Sequence, residues 1–181
     1  MKIFHKIHDF KTDKPTTVTL GTFDGVHLGH KKIIEKLTHH SPEQHESLVL
    51  TFFPHPRMVL QEKSEIKLLN TIDEKASLLE KAGLENLIIH PFDQTFSQLS
   101  AEEFVKKILV DQFNVGKIII GYDHRFGKNR SADINDLIKF GKKYDFEVEQ
   151  ISAQEIDEVS ISSTKIRKAL QEGNIHLAND Y

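Results

Sequence analysis

The residues best suited to chemistry lie in one decapeptide, Gly21-Thr22-Phe23-Asp24-Gly25-Val26-His27-Leu28-Gly29-His30. Three glycines at four-residue spacing permit tight turns and close approach of backbone to a ligand. His27 and His30 are three apart, so in the first turn of a helix they share a face. Backbone N–H groups at such a helix start favour an anion. Two imidazoles flanking a helix N-terminus describe a phosphate site; the plain alternative is a glycine-rich turn carrying two exposed histidines. A P-loop is excluded, because no Gly-x-x-x-x-Gly-Lys-Ser/Thr occurs, and the Gly-x-Gly-x-x-Gly pattern is missing too.

Three further motifs accompany it. In Ile161-Ser162-Ser163-Thr164-Lys165-Ile166-Arg167, three hydroxyls open a helix and Arg167 follows about one turn in. Alone, a Ser or Thr there reads as an N-cap; beside the first motif it reads as a second phosphate-binding helix start with a cation. Thr51-Phe52-Phe53-Pro54-His55-Pro56-Arg57 closes an apolar run, and its prolines restrict Phe53 and His55. It is either a rigid turn or a wall of a binding crevice. Gly121-Tyr122-Asp123-His124-Arg125-Phe126-Gly127 follows another apolar run. There Asp123 could take a magnesium ion or a ligand hydroxyl, and Arg125 could meet a phosphate.

The elements that must hold these motifs alternate. Short apolar runs at Val18–Leu20, Leu48–Phe53, Leu87–Ile89, Lys117–Ile120 and Phe146–Ile151 predict five strands covered on both faces. Helical patterns fall between them, at Lys31–His39, after the capping boxes Thr71–Glu74 and Ser100–Glu103, at Ile134–Tyr144 and at Thr164–Leu170. This βαβ spacing predicts one α/β domain over residues 1–181, a Rossmann-like open parallel five-stranded sheet flanked by helices. Ligands of such sheets bind beyond the carboxyl ends of the strands, where three of the four motifs fall. Pro54–Asn70 has weak periodicity and predicts an irregular excursion over the site.

The remaining histidines read more blandly. His39, His40 and His45 form a solvated polar cluster with no His-Glu-x-x-His helix to make it a metal site. His5 and His8 read as surface residues, His90 and His176 have no legible partner, and Lys142 and Lys143 mark a solvated helix face.

Composition narrows the class. The chain has 181 residues, a formal charge of −3 and no cysteine. The charge and a pI near 6.4 give no broad basic field for a nucleic-acid backbone. Thiolate metal sites and cysteine nucleophiles are excluded. No apolar run approaches the roughly 20 residues a membrane helix needs, and Met1–Lys11 has no signal-like apolar stretch. The expectation is a cytoplasmic protein with neither nucleic-acid nor membrane partner.

The pairing of His-x-Gly-His with Ile-Ser-Ser-Thr-x-x-Arg resembles the adenylyltransferase superfamily. Together with Thr-Phe-Phe-Pro-His-Pro and Gly-Tyr-Asp-His-Arg-Phe-Gly, it is similar to the FMN adenylyltransferase domain of bacterial bifunctional FAD synthetases, across essentially the whole chain. The resemblance implies adenylyl transfer from ATP, with Mg²⁺, to FMN as substrate, giving FAD and pyrophosphate. It implies an ATP site formed by Gly21, Phe23, Asp24, His27, Gly29, His30, Ser162, Ser163, Thr164 and Arg167, of which His27, His30, Ser163 and Arg167 are catalytic. The FMN side would hold Phe53, Pro54, His55, Pro56, Asp123, Arg125 and Phe126, with Asp123 near the metal.

The chain departs from the family at His124, where Phe is more usual, and in the stretch Lys128–Ala132, which is less glycine-rich. The family normally continues into a riboflavin kinase domain, so an excised N-terminal domain is expected. Two alternatives stand beside this reading: a related nucleotidyltransferase acting on another phosphate or nucleotide acceptor, and a non-catalytic nucleotide- or flavin-binding module.

Overall fold

A computed structural model describes residues 1–39, 44–61, 65–152, 155 and 161–181. The strands are β1 (Lys2–Phe4), β2 (Thr16–Leu20), β3 (Glu46–Phe52), β4 (Asn86–His90), β5 (Val115–Gly121) and β6 (Glu147–Ile151). The helices are α1 (Leu28–Thr38), α2 (Pro56–Leu60), α3 (Ile72–Lys81), α4 (Gln94–Ser97), α5 (Ala101–Phe104), α6 (Ile134–Tyr144), α7 (Ser163–Gln171) and α8 (Ile175–Asp180). π-Helical turns extend α5 through Val105–Val110.

All strand pairs are parallel, in the order β1-β4-β3-β2-β5-β6. The sheet therefore has six strands, not the five expected from the apolar runs. The extra strand is β1, a three-residue edge strand against β4. Its Ile3 is largely exposed and only one neighbour pairs with it, so it needs no continuous apolar run and leaves none in the sequence.

Period-two alternation explains why both faces are covered. Val18, Leu20, Leu48, Leu50, Ile118 and Ile120 point to one face, where Val105, Ile108, Leu109 and Leu137 cover them. Val49, Leu87, Ile89 and Ile119 point to the other, under Ile33, Ile34 and Leu37 of α1 and Ala76 and Leu79 of α3. Both predicted capping boxes are formed, at Thr71/Glu74 and Ser100/Glu103. The Pro54–Asn70 stretch is less irregular than expected, because Pro56 opens the short helix α2.

The chain runs outward from β2 through β3 to β4, then returns to place β5 on the other side of β2. The strand order thus reverses between β2 and β5. In a parallel α/β sheet that reversal opens a crevice at the carboxyl ends, and two of the four motifs leave the sheet there.

Candidate functional site

The turn after β2 is held in a costly backbone conformation. Phe23, Gly25 and Val26 all have positive φ, at 46°, 86° and 40°. For Phe and Val this region is sterically strained, so tertiary contacts must hold it. Phe23 and Val26 are buried in the core shared with α1 and α3. A Cβ on Gly25 would lie 2.7 Å from Leu69 Cδ1, so only glycine suits that position. A Cβ on Gly21 would approach the Phe23 ring to 3.0 Å.

This turn delivers His27 as the N-cap of α1, its Nδ1 accepting the His30 N–H at 3.4 Å. That bond assigns the proton of the neutral ring to Nε2. The two imidazoles stack at 3.7 Å with planes 19° apart, so the shared face read from the i, i+3 spacing is realised as ring-on-ring contact. Burial pushes His27 down to about 4, against the opposing Asp24 carboxylate. Burial, then the neighbouring His27 and Lys75, hold His30 well below the ordinary imidazole range. Both rings are therefore neutral at pH 7, and the buried Nδ1 of His30 has no hydrogen-bond partner among the described residues. Gly29, buried in the first turn of α1, lets the helix start sit close against the sheet.

Asp24 joins the first and last motifs. Its carboxylate is almost fully buried, accepts the Leu69 N–H at 2.9 Å and pairs with the Arg167 guanidinium. Its backbone carbonyl accepts from Ser163 Oγ at 2.8 Å. Arg167 Nε also donates to the Lys67 carbonyl at 2.7 Å. The first and last motifs thus meet, with residues 67–69 between them. Ser162 fulfils the plain expectation as the N-cap of α7, accepting from Lys165 N–H. Ser163 is committed to Asp24, while Thr164 faces solvent in the first turn.

On the other side, Phe53 and Pro54 are exposed and joined by a cis peptide bond. His55 caps α2, its Nδ1 accepting the Arg57 N–H at 3.1 Å, and Pro56 is the first residue of that helix. Burial lowers the His55 pKa, with Asp24 opposing and Arg57, Arg167 and Lys75 reinforcing. His55 therefore belongs electrostatically with the Asp24 cluster. After β5, Asp123 and Arg125 are exposed, whereas Phe126 is buried against Phe104 and its backbone pairs with Ala132. His124 lies between them, its ring stacked on Phe126 and its buried Nε2 without a hydrogen-bond partner among the described residues.

Several residues escaped the sequence reading. Lys75, in the first turn of α3, is 5% exposed and donates to the Thr22 carbonyl at 2.7 Å. The one available signal was a cation on the apolar face shared by Ala76 and Leu79, at a helix start where the dipole disfavours it. His90 does have partners, accepting the Ile7 N–H and packing on Phe96. His45 is half-buried against Thr17 Oγ1 at 3.0 Å instead of joining a solvated cluster. His40 lies outside the described residues.

Residues 9–165 match the family described as FAD synthetase. The chain is 39% identical over 181 residues to a bifunctional riboflavin kinase/FMN adenylyltransferase of Buchnera aphidicola from Schizaphis graminum, covering 98% of this chain. It is 35% identical to the Listeria monocytogenes protein of that name, over 99% of this chain. The Escherichia coli K12 counterpart is 30% identical over 98%. The chain spans 58% of the length of each of these relatives. Among solved structures, one described as a macrolide-efflux protein from Streptococcus pneumoniae superposes with a TM-score of 0.84 at 27% identity, over 98% of this chain and 58% of the other. A pantothenate synthetase from Thermus thermophilus shares the fold, with a TM-score of 0.55 at 12% identity over 99% of this chain and 80% of the other. Among the described residues, no helix is long and apolar enough to cross a membrane.

Proposed function

The chain belongs to the FAD synthetase family, and from that premise we propose that it transfers the adenylyl group of ATP to FMN, forming FAD and releasing pyrophosphate. The observation that carries this reading is the joining of two distant phosphate-binding motifs, through Asp24, Ser163 and Arg167, beside the stacked imidazoles at the start of α1.

The chemistry needs no activated side chain. The FMN phosphate is an anion at neutral pH and is itself the nucleophile. One of its oxygens bonds to the α-phosphorus of ATP as the bond to the β-phosphate oxygen breaks. The protein must hold the two in line and absorb charge on the equatorial and leaving oxygens. His27 is suited to this as a neutral donor through Nε2, and the dipole at the start of α1 favours the same charge, although its Leu28 and His30 N–H groups already donate to the Tyr181 carbonyl and to His27 Nδ1. Phosphate charge beside His27 and His30 favours their protonated forms, reversing part of the burial effect. Arg167, with Ser162, Ser163 and Thr164, faces the same phosphates from α7, and Gly21, Phe23, Asp24 and Gly29 shape the turn that admits them. Phe53, Pro54, His55 and Pro56 border the acceptor on this reading, and Asp123 and Arg125 reach it from the turn after β5, whereas Phe126 is buried in the core and supports that turn rather than lining the site.

Among the described residues, no group of three His, Asp, Glu or Cys could cage a metal ion. Magnesium needs no such cage, since it keeps several waters and takes phosphate oxygens with one or two carboxylates. On this reading Asp123, exposed after β5, would supply a carboxylate to it. Bound there, magnesium would neutralise charge on the triphosphate.

The relatives are bifunctional, and a riboflavin kinase module as covalent partner supplying FMN accords with this reading. The cytoplasm, where ATP is available, is the corresponding compartment. Incubating the chain with ATP, magnesium and FMN and resolving the products by chromatography tests the proposal. FAD should accumulate with one pyrophosphate each; no FAD under saturating substrates would refute it.

A further inference from the structure

The cluster under the nucleotide turn holds more positive charge than its ion pair consumes. Its imidazoles, His27, His30 and His55, are neutral at pH 7. Its one buried carboxylate, Asp24, is paired with Arg167. Beside the half-buried Arg167, Lys75 is a fully buried cation, and its only described hydrogen bond is to the Thr22 carbonyl. Burial draws the ammonium down from its ordinary value, and the Asp24 carboxylate opposes that draw.

Packing does not account for this residue. The neighbouring positions on the same face of α3, Ala76 and Leu79, are apolar core. A methionine would fill the volume without the cost of desolvating a charge. Position N4 of a helix is also unfavourable for a cation. What the ammonium adds is specific. Together with Thr51 Oγ1, at 3.2 Å, it fixes the Thr22 carbonyl at 2.7 Å. Thr22 immediately precedes the strained Phe23–Val26 turn that sets Asp24 and His27. Two of the three ammonium hydrogens have no acceptor among the described residues.

We propose that Lys75 is a positioning residue of the nucleotide turn: it seats the Thr22 carbonyl and carries the net positive charge that the turn presents to the phosphates of ATP. The inference rests on the ATP half of the proposed function and is independent of the acceptor. Lys75 acts from beneath the turn, leaving the imidazoles as neutral donors in the absence of a phosphate.

Two variants of the full chain test it. Lys75→Met removes both charge and hydrogen bond, whereas Lys75→Gln keeps a donor for Thr22 and removes only the charge. Calorimetric titration with ATP and magnesium chloride, without FMN, should show affinity lowered about tenfold or more in both. Histidine ring signals followed by NMR should show His30 and His55 titrating at higher pH in both variants than in the wild type. If Lys75→Gln keeps wild-type ATP affinity and histidine titrations, the charge has no role and the proposal is overturned. The same holds if neither variant differs from wild type. Should Lys75→Met fail to fold, Lys75→Gln alone decides. Lys75-dependent ATP binding without FAD formation would remove FMN as acceptor and leave this inference standing.

Discussion

Asp24 and Arg167, 143 residues apart in the chain, form an ion pair whose carboxylate is 3% and whose guanidinium is 18% exposed. Asp24 leaves the first half of the sheet and Arg167 rides on the seventh helix. A buried pair of this kind is a weak source of net stability, because desolvation offsets much of the attraction. Its larger effect is geometric, since it joins the turn before α1 to the first turn of α7.

Arg167→Lys should lower kcat/KM for ATP by about tenfold or more, equivalent to ~1.4 kcal/mol. Lysine cannot satisfy the Asp24 carboxylate and the Lys67 carbonyl with one planar fork. Steady-state kinetics with ATP varied would measure it. An unchanged value would return α7 to the standing of an ordinary capped helix.

Replacing His30 with alanine, or His27 with asparagine, should slow adenylyl transfer by about 10²- to 10³-fold, the scale of losing one preorganised donor. Asparagine is chosen at position 27 because it can still cap α1. Unfolding midpoints should change little in His27→Asn. Near-normal turnover in both variants would remove the histidines from the mechanism.

Gly25→Ala should destabilise the fold by more than about 1 kcal/mol, because alanine at positive φ is strained and here meets Leu69. The same clash pushes residues 67–69 away from Asp24, so ATP affinity should fall in parallel. Urea unfolding and ATP titration on one preparation would reveal both effects. A variant as stable as the parent would contradict the geometry of the turn.

Stability should rise with pH between about 4 and 6.5. Burial pushes His27 and His124 each to about 4, against roughly 6.5 for an unfolded chain. In that window the unfolded state binds more protons, so stability is full above it and lost as pH falls through the folded values. His124 contributes up to about 1.4 kcal/mol per pH unit, and the more exposed His27 contributes less. Urea midpoints across pH 4–7 would trace the slope, and His124→Phe should flatten it. A pH-independent midpoint would show that these rings are not held neutral by burial.

Much of this was legible before any coordinates. β3, β4 and β5 are legible because strands covered on both faces carry apolar runs, whereas the edge strand β6 is legible only from Phe146, Val148 and Ile151. β1 was silent because an edge strand with Ile3 exposed carries no such demand. The i, i+3 spacing of His27 and His30 placed them on one face, but ring stacking depends on the N-cap bond from His30 to His27, which spacing does not specify. Lys75 was the deeper miss. Surface lysines are common on helices, and its burial follows only from the way α3 packs beneath the Thr22 carbonyl.

The bond between Asp24 and Arg167 also bears on synthesis. A chain still emerging from the ribosome can pair β2 with β3 and wind most of α1 early, since these segments are close in sequence. The clamp closes only after residue 167 has appeared, when nine-tenths of these residues have been made. Such long-range closure is slow and comes late. Until then the paired histidines stand on a finished helix while the buried carboxylate lacks its guanidinium. A chain stopped before that point would hold the Asp24 turn without the Ser163 and Arg167 contacts that brace it.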